Sequence, residues 1–154
     1  MTLTDRKIRF EIIARLKEKT KDEVLKKMKK IKSIIKNNLN DIIKSISTDN
    51  GTEFSAWKDI EKMLNTTIYF CHPYCSGEKG TNEKHNGMIR YFIPKGKLIE
   101  NYSNKDIEEI ANWMNNYPRR IFGYKTPIEM LKEEINDNNL FNKIINIQKE
   151  LNVV

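Results

Sequence analysis

Two acidic residues, Asp49 and Glu83, are the side chains of this sequence best placed to do chemistry, and 33 residues separate them. Asp49 follows a predicted strand and precedes an Asn-Gly turn, while Glu83 falls in the first turn of a predicted helix. Carboxylate oxygens are preferred ligands of Mg²⁺, and two such ions can activate an attacking oxygen and stabilise a leaving one. The pair therefore predicts metal-dependent chemistry on phosphate esters. The alternative is a solvated turn aspartate and a glutamate favoured by the helix dipole.

A polar stripe follows Glu83 along the same predicted helix. Asn86, Gly87 and Arg90 come three, four and seven residues after it, so the four residues share one helix face. An acid, an amide and a guanidinium on one stripe suit contact with a phosphate backbone. A mixed polar face without a ligand is the alternative.

Alternating elements must position these side chains. Apolar periodicity and capping residues predict the order strand, strand, helix, strand, helix, strand, helix, and then further helices. This order predicts an α/β domain with a mixed sheet. The predicted spans are strands over 1–4 and 7–16 around an Asp5-Arg6 turn, a helix opened by Thr20, a strand over 41–47, a helix over 55–64, a strand over 67–71, a loop over 72–80, and helices over 81–92, from Ser103, from Thr126 and over 138–151.

Composition narrows the class of protein. The 154 residues are 38% hydrophobic and 32% charged, which is typical of a globular chain. Apolar runs long enough to span a bilayer are absent from the sequence, and two cysteines are too few for a disulfide framework, which predicts a cytoplasmic location. The net charge of +7 predicts an anionic partner such as nucleic acid. Because 22 of the 28 basic residues are lysines, AT-rich codon usage is an alternative source of that charge.

Three strings of the sequence resemble the integrase-type catalytic core of DDE transposases. They are TDNGTEF at 48–54, PYCSGEKGTNEKHNG at 73–87 and NNYPRRIFGYKTP at 115–127. Together they most resemble the insertion-sequence family numbered thirty, and the likeness runs from about residue 3 to residue 130.

The resemblance implies a ribonuclease H-like fold and DNA cutting and joining with two Mg²⁺ or Mn²⁺ ions. Asp49 matches the second catalytic acid and Glu83 the third, so both are expected to be catalytic residues and metal ligands. The implied partners are transposon ends and target DNA, with a nucleoid-associated location in a bacterium. The residues expected to contact DNA are Lys79, Asn86, Arg90, Arg119 and Arg120.

The opening of the sequence departs from that family. Its first catalytic Asp lies on an opening strand, and no matching string is present; Asp5 instead falls in a predicted turn. We expect a catalytic core truncated at its N-terminus over 1–135, with a helical extension over 136–154, that is inactive alone. Loss of a central strand is also expected to expose the edges of its neighbours.

Two other functions fit parts of the sequence. One is a non-enzymatic DNA-binding remnant that associates with full-length transposase or with copies of itself. The other is a small zinc protein, because Cys71, His72, Cys75 and His85 are residue types that bind zinc. Of the two, the zinc protein explains fewer of the motifs.

Overall fold

The computed structural model describes residues 1–36, 39–72 and 76–152, without the side chains of Asn40 and of residues 76–79. The chain divides into two units, one of Met1–Arg15 with Gly80–Val154 and the other of Leu16–Lys79. The elements in chain order are β1 (Thr2–Thr4), β2 (Glu11–Ile13), α1 (Lys21–Ile35), α2 (Leu39–Ile42), β3 (Ser45–Thr48), α3 (Trp57–Leu64), β4 (Thr67–Phe70), α4 (Ser76–Phe92), α5 (Asn104–Asn116), α6 (Pro127–Glu134) and α7 (Asn138–Leu151).

In the first unit, β1 and β2 form an antiparallel pair in which Leu3 lies opposite Ile12. Asp5 holds the turn between them, because its Oδ1 accepts the backbone N–H groups of Lys7 and Ile8 at 2.7 and 2.9 Å. This confirms the predicted pair of strands around a turn. Strand β2 is shorter than predicted and ends at Ile13.

The edge of β2 that faces away from β1 is hydrogen-bonded by three buried amide side chains. Asn115 of α5 brackets Glu11, accepting its N–H and donating to its carbonyl, both at 2.8 Å. Gln148 of α7 brackets Ile13 in the same way at 2.7 and 2.8 Å. Asn152 accepts the N–H of Arg15 at 3.0 Å. These amides, hereafter the amide edge (Asn115, Gln148 and Asn152), satisfy backbone groups that burial would otherwise leave unpaired.

Apolar side chains from β2, α4 and α5 make the core of the first unit, and α5 contacts β2, α6 and α7. Helices α5 and α6 begin after Ser103 and Thr126, as predicted, and Asp106 and Glu129 complete capping boxes with these two residues. The buried core residues are Ile13, Ile93, Ile107, Ile110, Ala111 and Met114.

In the second unit, β3 and β4 form a parallel pair joined through α3, and Ile46 lies opposite Ile68. Helix α1 begins after Thr20, whose hydroxyl accepts the N–H of Glu23 at 3.4 Å. The spacing of Val24, Met28, Ile31 and Ile35 predicts one apolar face for α1, and all four side chains are buried. Helix α1 packs on α3 and on a 3₁₀ turn over Thr52–Phe54.

Three predictions about the fold need correction. The mixture of helices and strands is confirmed, but in the described residues the strands form two two-stranded sheets rather than one mixed sheet. The strand predicted over 41–47 begins only at Ser45, because the Ile43 N–H bonds to the Leu39 carbonyl at 2.8 Å and closes a helical turn. The loop predicted over 72–80 already holds the start of α4 at Ser76, despite two glycines of low helix propensity.

Two further predictions concern the C-terminal part of the chain. The helix predicted over 138–151 is confirmed as α7, and through Gln148 it takes part in the first unit, while the boundary at residue 135 stays a prediction. Within the described residues, no helix combines the length and apolar content needed to cross a membrane.

The amide edge gives a stability prediction. Asn115→Ala leaves the N–H and carbonyl of Glu11 buried without partners, so we expect the free energy of unfolding to fall by ~3 kcal/mol. Asn116→Ala is the matched control, because its side chain is exposed and bonds to the Asn112 carbonyl of its own helix; its cost should stay within about 0.5 kcal/mol. Urea unfolding of both variants measures the difference. Equal costs would contradict the structural role of Asn115.

Candidate functional site

Asp49 lies directly after β3, at the carboxyl end of the parallel pair of strands. Thr48 before it is buried, whereas Asp49 is exposed. The Oδ1 atom of Asp49 accepts the backbone N–H of Gly51 at 3.3 Å, which closes the turn that the Asn-Gly pair predicts. Ligands collect at this edge of an open α/β sheet, so the described position suits the predicted role of Asp49.

A second carboxylate, that of Glu53, converges on the same turn. A Cβ atom placed on Gly51 would lie 2.5 Å from Oε2 of Glu53 and 3.0 Å from Oδ1 of Asp49. The other oxygen of Glu53, Oε1, lies 3.2 Å from Nζ of Lys19. Sequence reasoning did not single out Glu53, although the string TDNGTEF contains it four residues after Asp49.

Glu83 lies on the exposed face of α4, in the other unit. Asn86, Gly87 and Arg90 are exposed with it, and His85 is buried at 3% exposure. The predicted polar stripe is therefore solvent-accessible along one face of the helix. Lys79 falls in the first part of α4, and its side chain lies outside the described ones.

A buried polar contact fixes the opposite face of α4. Nδ1 of His85 lies 2.7 Å from Oε2 of Glu11 on β2, and the hydroxyl of Thr4 donates to the same oxygen at 2.6 Å. Glu11 is completely buried. Since the contact ties one side of α4 to β2, it holds the Glu83 stripe outward. In the sequence, this contact is indicated only by the position of Glu11 between apolar neighbours.

Arg119 and Arg120 differ in what their side chains do. Arg119 is half-buried: Nη1 contacts the Met88 sulfur at 2.9 Å, and Nη2 donates to the Met114 carbonyl at 3.1 Å. Its guanidinium also lies 5.5 Å from the centre of the Tyr117 ring. Burial lowers the pKa of the Arg119 guanidinium below its ordinary value. Arg120 is exposed, so the structure leaves its charge accessible to a ligand.

The carboxylate oxygens near Asp49 are suitable ligand atoms for a hard cation. Oε2 of Glu53 is a buried carboxylate oxygen for which the described residues provide no hydrogen-bond donor. Carboxylate oxygens are what Mg²⁺ and Mn²⁺ bind. Asp49 and Glu83 belong to separate units of the chain.

Of the residues in the zinc alternative, the structure gives a specific partner to His85. His85 contacts Glu11, and Cys75 lies outside the described residues. Among the side chains that the structure describes, no three His, Cys, Asp or Glu residues come together to hold a metal ion.

Comparison with known proteins agrees with the sequence motifs. The chain is 46% identical over 99 residues to the transposase of insertion sequence element IS4351 from Bacteroides fragilis, a match covering 64% of this chain and 30% of that protein. It is 36% identical to a probable transposase of IS1161 from Streptococcus salivarius, over 82% of this chain and 34% of the relative. It is 32% identical to the InsI transposase of IS30A from Escherichia coli K12, over 87% and 34%. No protein-family model matches the chain.

These relatives identify the chain as a homologue of insertion-sequence transposases. Within that class it is most like the transposases of the IS30 family, which confirms the resemblance seen in the motifs. The chain spans about a third of the length of these relatives, 30% to 34% in the three matches.

The different surroundings of the two arginines can be tested by stability. Arg119→Lys removes the planar fork that reaches both Met88 and the Met114 carbonyl, so we expect ~1–2 kcal/mol lower stability. Arg120→Lys, at the adjacent exposed position, should change stability by less than about 0.5 kcal/mol. Thermal unfolding of the two variants measures this. A larger loss for Arg120→Lys would contradict the assigned contacts.

Proposed function

We propose that this chain serves in DNA transposition as part of a metal-dependent catalytic core in which Asp49 and Glu83 are carboxylate ligands. The observation that carries the proposal is the exposed carboxylate of Asp49 at the carboxyl end of a parallel strand, inside the string TDNGTEF. The relatives named as transposases support the same reaction class. Bound Mg²⁺ would supply an activated water and neutralise charge on the phosphate.

The protein's own residues would bind and orient the DNA. Asn86 and Arg90 are exposed and carry N–H groups that can donate hydrogen bonds. The phosphate oxygens of a DNA backbone can accept them. We assign Arg120 a DNA contact as well, because its guanidinium is exposed. Arg119 has protein partners for two of its nitrogens, so we assign it chiefly to holding α4 and α5 together.

A second candidate is DNA binding without chemistry, through association with a full-length transposase. The resemblance supplies two of the family's three acids among these residues. Asp5 is engaged in its turn through two backbone N–H groups, which does not favour it as the family's first acid, the one without a match in this sequence. DNA binding needs only the basic and polar surface, so this function survives if the catalytic one fails.

DNA binding is tested by its dependence on salt. We expect affinity for duplex DNA to fall steeply between about 50 and 200 mM salt, since bound phosphates release counterions. Arg90→Gln should make the log–log salt slope shallower by about one contact. Lys149→Gln removes the same charge from the exposed surface of α7 and should leave the slope unchanged. Gel shifts at several salt concentrations measure both; equal slopes for the two variants would contradict a DNA contact at Arg90.

Catalysis is tested by joining of labelled transposon ends to a target plasmid in Mg²⁺. With two of the three acids present, we expect no joining by this chain alone. Joining that disappears in Asp49→Asn and in Glu83→Gln would show a complete site and contradict that expectation. DNA binding in the gel shift without any joining fits both candidates, because the first also expects no joining by this chain alone.

A further inference from the structure

We infer that Glu53 supplies a second carboxylate, beside Asp49, to the divalent cation bound at the end of β3. The inference rests on the proposed function in one respect, which is that Asp49 is a metal ligand. It adds a residue that the motif resemblance does not assign to the metal. All the residues concerned belong to the unit Leu16–Lys79.

The first step is the convergence of the two carboxylates on Gly51. Oε2 of Glu53 and Oδ1 of Asp49 both lie within 3.0 Å of the point where a Cβ on Gly51 would be. Glycine thus provides the space in which the two negative groups approach each other. Two carboxylates on the same side of one turn repel each other, and a cation near both relieves that repulsion.

The second step is the state of the Glu53 oxygens. Oε2 is inaccessible to solvent and lacks a hydrogen-bond donor among the described residues, whereas Oε1 faces Lys19 at 3.2 Å. The side chain as a whole is 14% exposed. Burying a charged oxygen without a partner costs free energy, and a divalent cation is a partner that would recover it.

The third step is the local support of Glu53. It lies in the 3₁₀ turn over Thr52–Phe54, which packs against α1. Lys19, just before the Thr20 cap of α1, holds the other carboxylate oxygen. Because Lys19 holds one oxygen, the side chain is oriented with Oε2 toward Gly51.

The sharpest variant is Gly51→Ala. Gly51 has φ −64° and ψ 141°, which any L-residue adopts, so alanine does not strain the backbone. Its methyl group would meet Oε2 and Cδ of Glu53 at 2.5 and 2.7 Å and would push this flexible side chain away. The variant therefore removes the Glu53 carboxylate from the turn and leaves its charge on the protein.

The test is titration of the purified chain with Mn²⁺ alone, following free Mn²⁺ by electron paramagnetic resonance. We expect Glu53→Gln and Gly51→Ala each to weaken Mn²⁺ binding about tenfold, the scale seen when a supporting group of a metal site is removed. Glu18→Gln, an exposed acid in the same unit, controls for net charge and should stay within about twofold. Circular dichroism checks that each variant is folded.

The outcomes separate the inference from the proposed function. Weakening by Asp49→Asn but not by Glu53→Gln or Gly51→Ala would overturn the role of Glu53 and leave Asp49 as a ligand. Binding that none of these variants weakens would overturn both assignments. Wild-type protein that binds no Mn²⁺ would overturn the inference, while the gel shift still tests DNA binding.

Discussion

Three amide side chains hold the first unit together by hydrogen-bonding the outer edge of β2. A two-stranded pair leaves one edge of each strand without a neighbouring strand, and here that edge of β2 is buried beneath α5 and α7. The amide edge reproduces the donor and acceptor pattern of a strand, with Asn115 and Gln148 each bonding both backbone groups of one residue. Helices can therefore cover this edge without leaving backbone groups unpaired.

Strand β2 in turn determines how α4 presents its polar stripe. Glu11, whose backbone is fixed by Asn115, directs its side chain to His85 and Thr4. Asn115 and His85 lie 104 and 74 residues from Glu11, so their bonds to it tie α5, β2 and α4 into one arrangement. Glu83 owes its outward direction to this series of buried polar contacts as well as to the apolar packing of α4.

The sequence predicted the features that depend on residues close together in the chain. The caps at Thr20, Ser103 and Thr126 and the apolar face of α1 follow from spacings of three or four residues, and all are confirmed. The partners of Glu11 lie 74 and 104 residues away, so their pairing has no local signature. His85 shows the same limit: its type suggested a zinc ligand, and only the fold gives it a carboxylate partner. The sheets differ from prediction because strand pairing also depends on distant partners.

The two candidate acids consequently depend on different kinds of structure. Asp49 and its neighbour Glu53 are arranged by a five-residue turn and by Lys19, all within one unit and largely within one stretch of chain. The orientation of Glu83 depends on contacts that cross the first unit from α7 and α5 through β2. A change in the amide edge would therefore disturb the polar stripe of α4, whereas the contacts that arrange the carboxylates at Gly51 all lie within the other unit. The proposed metal contact of Asp49 and the proposed DNA contacts of α4 thus depend on different sets of contacts.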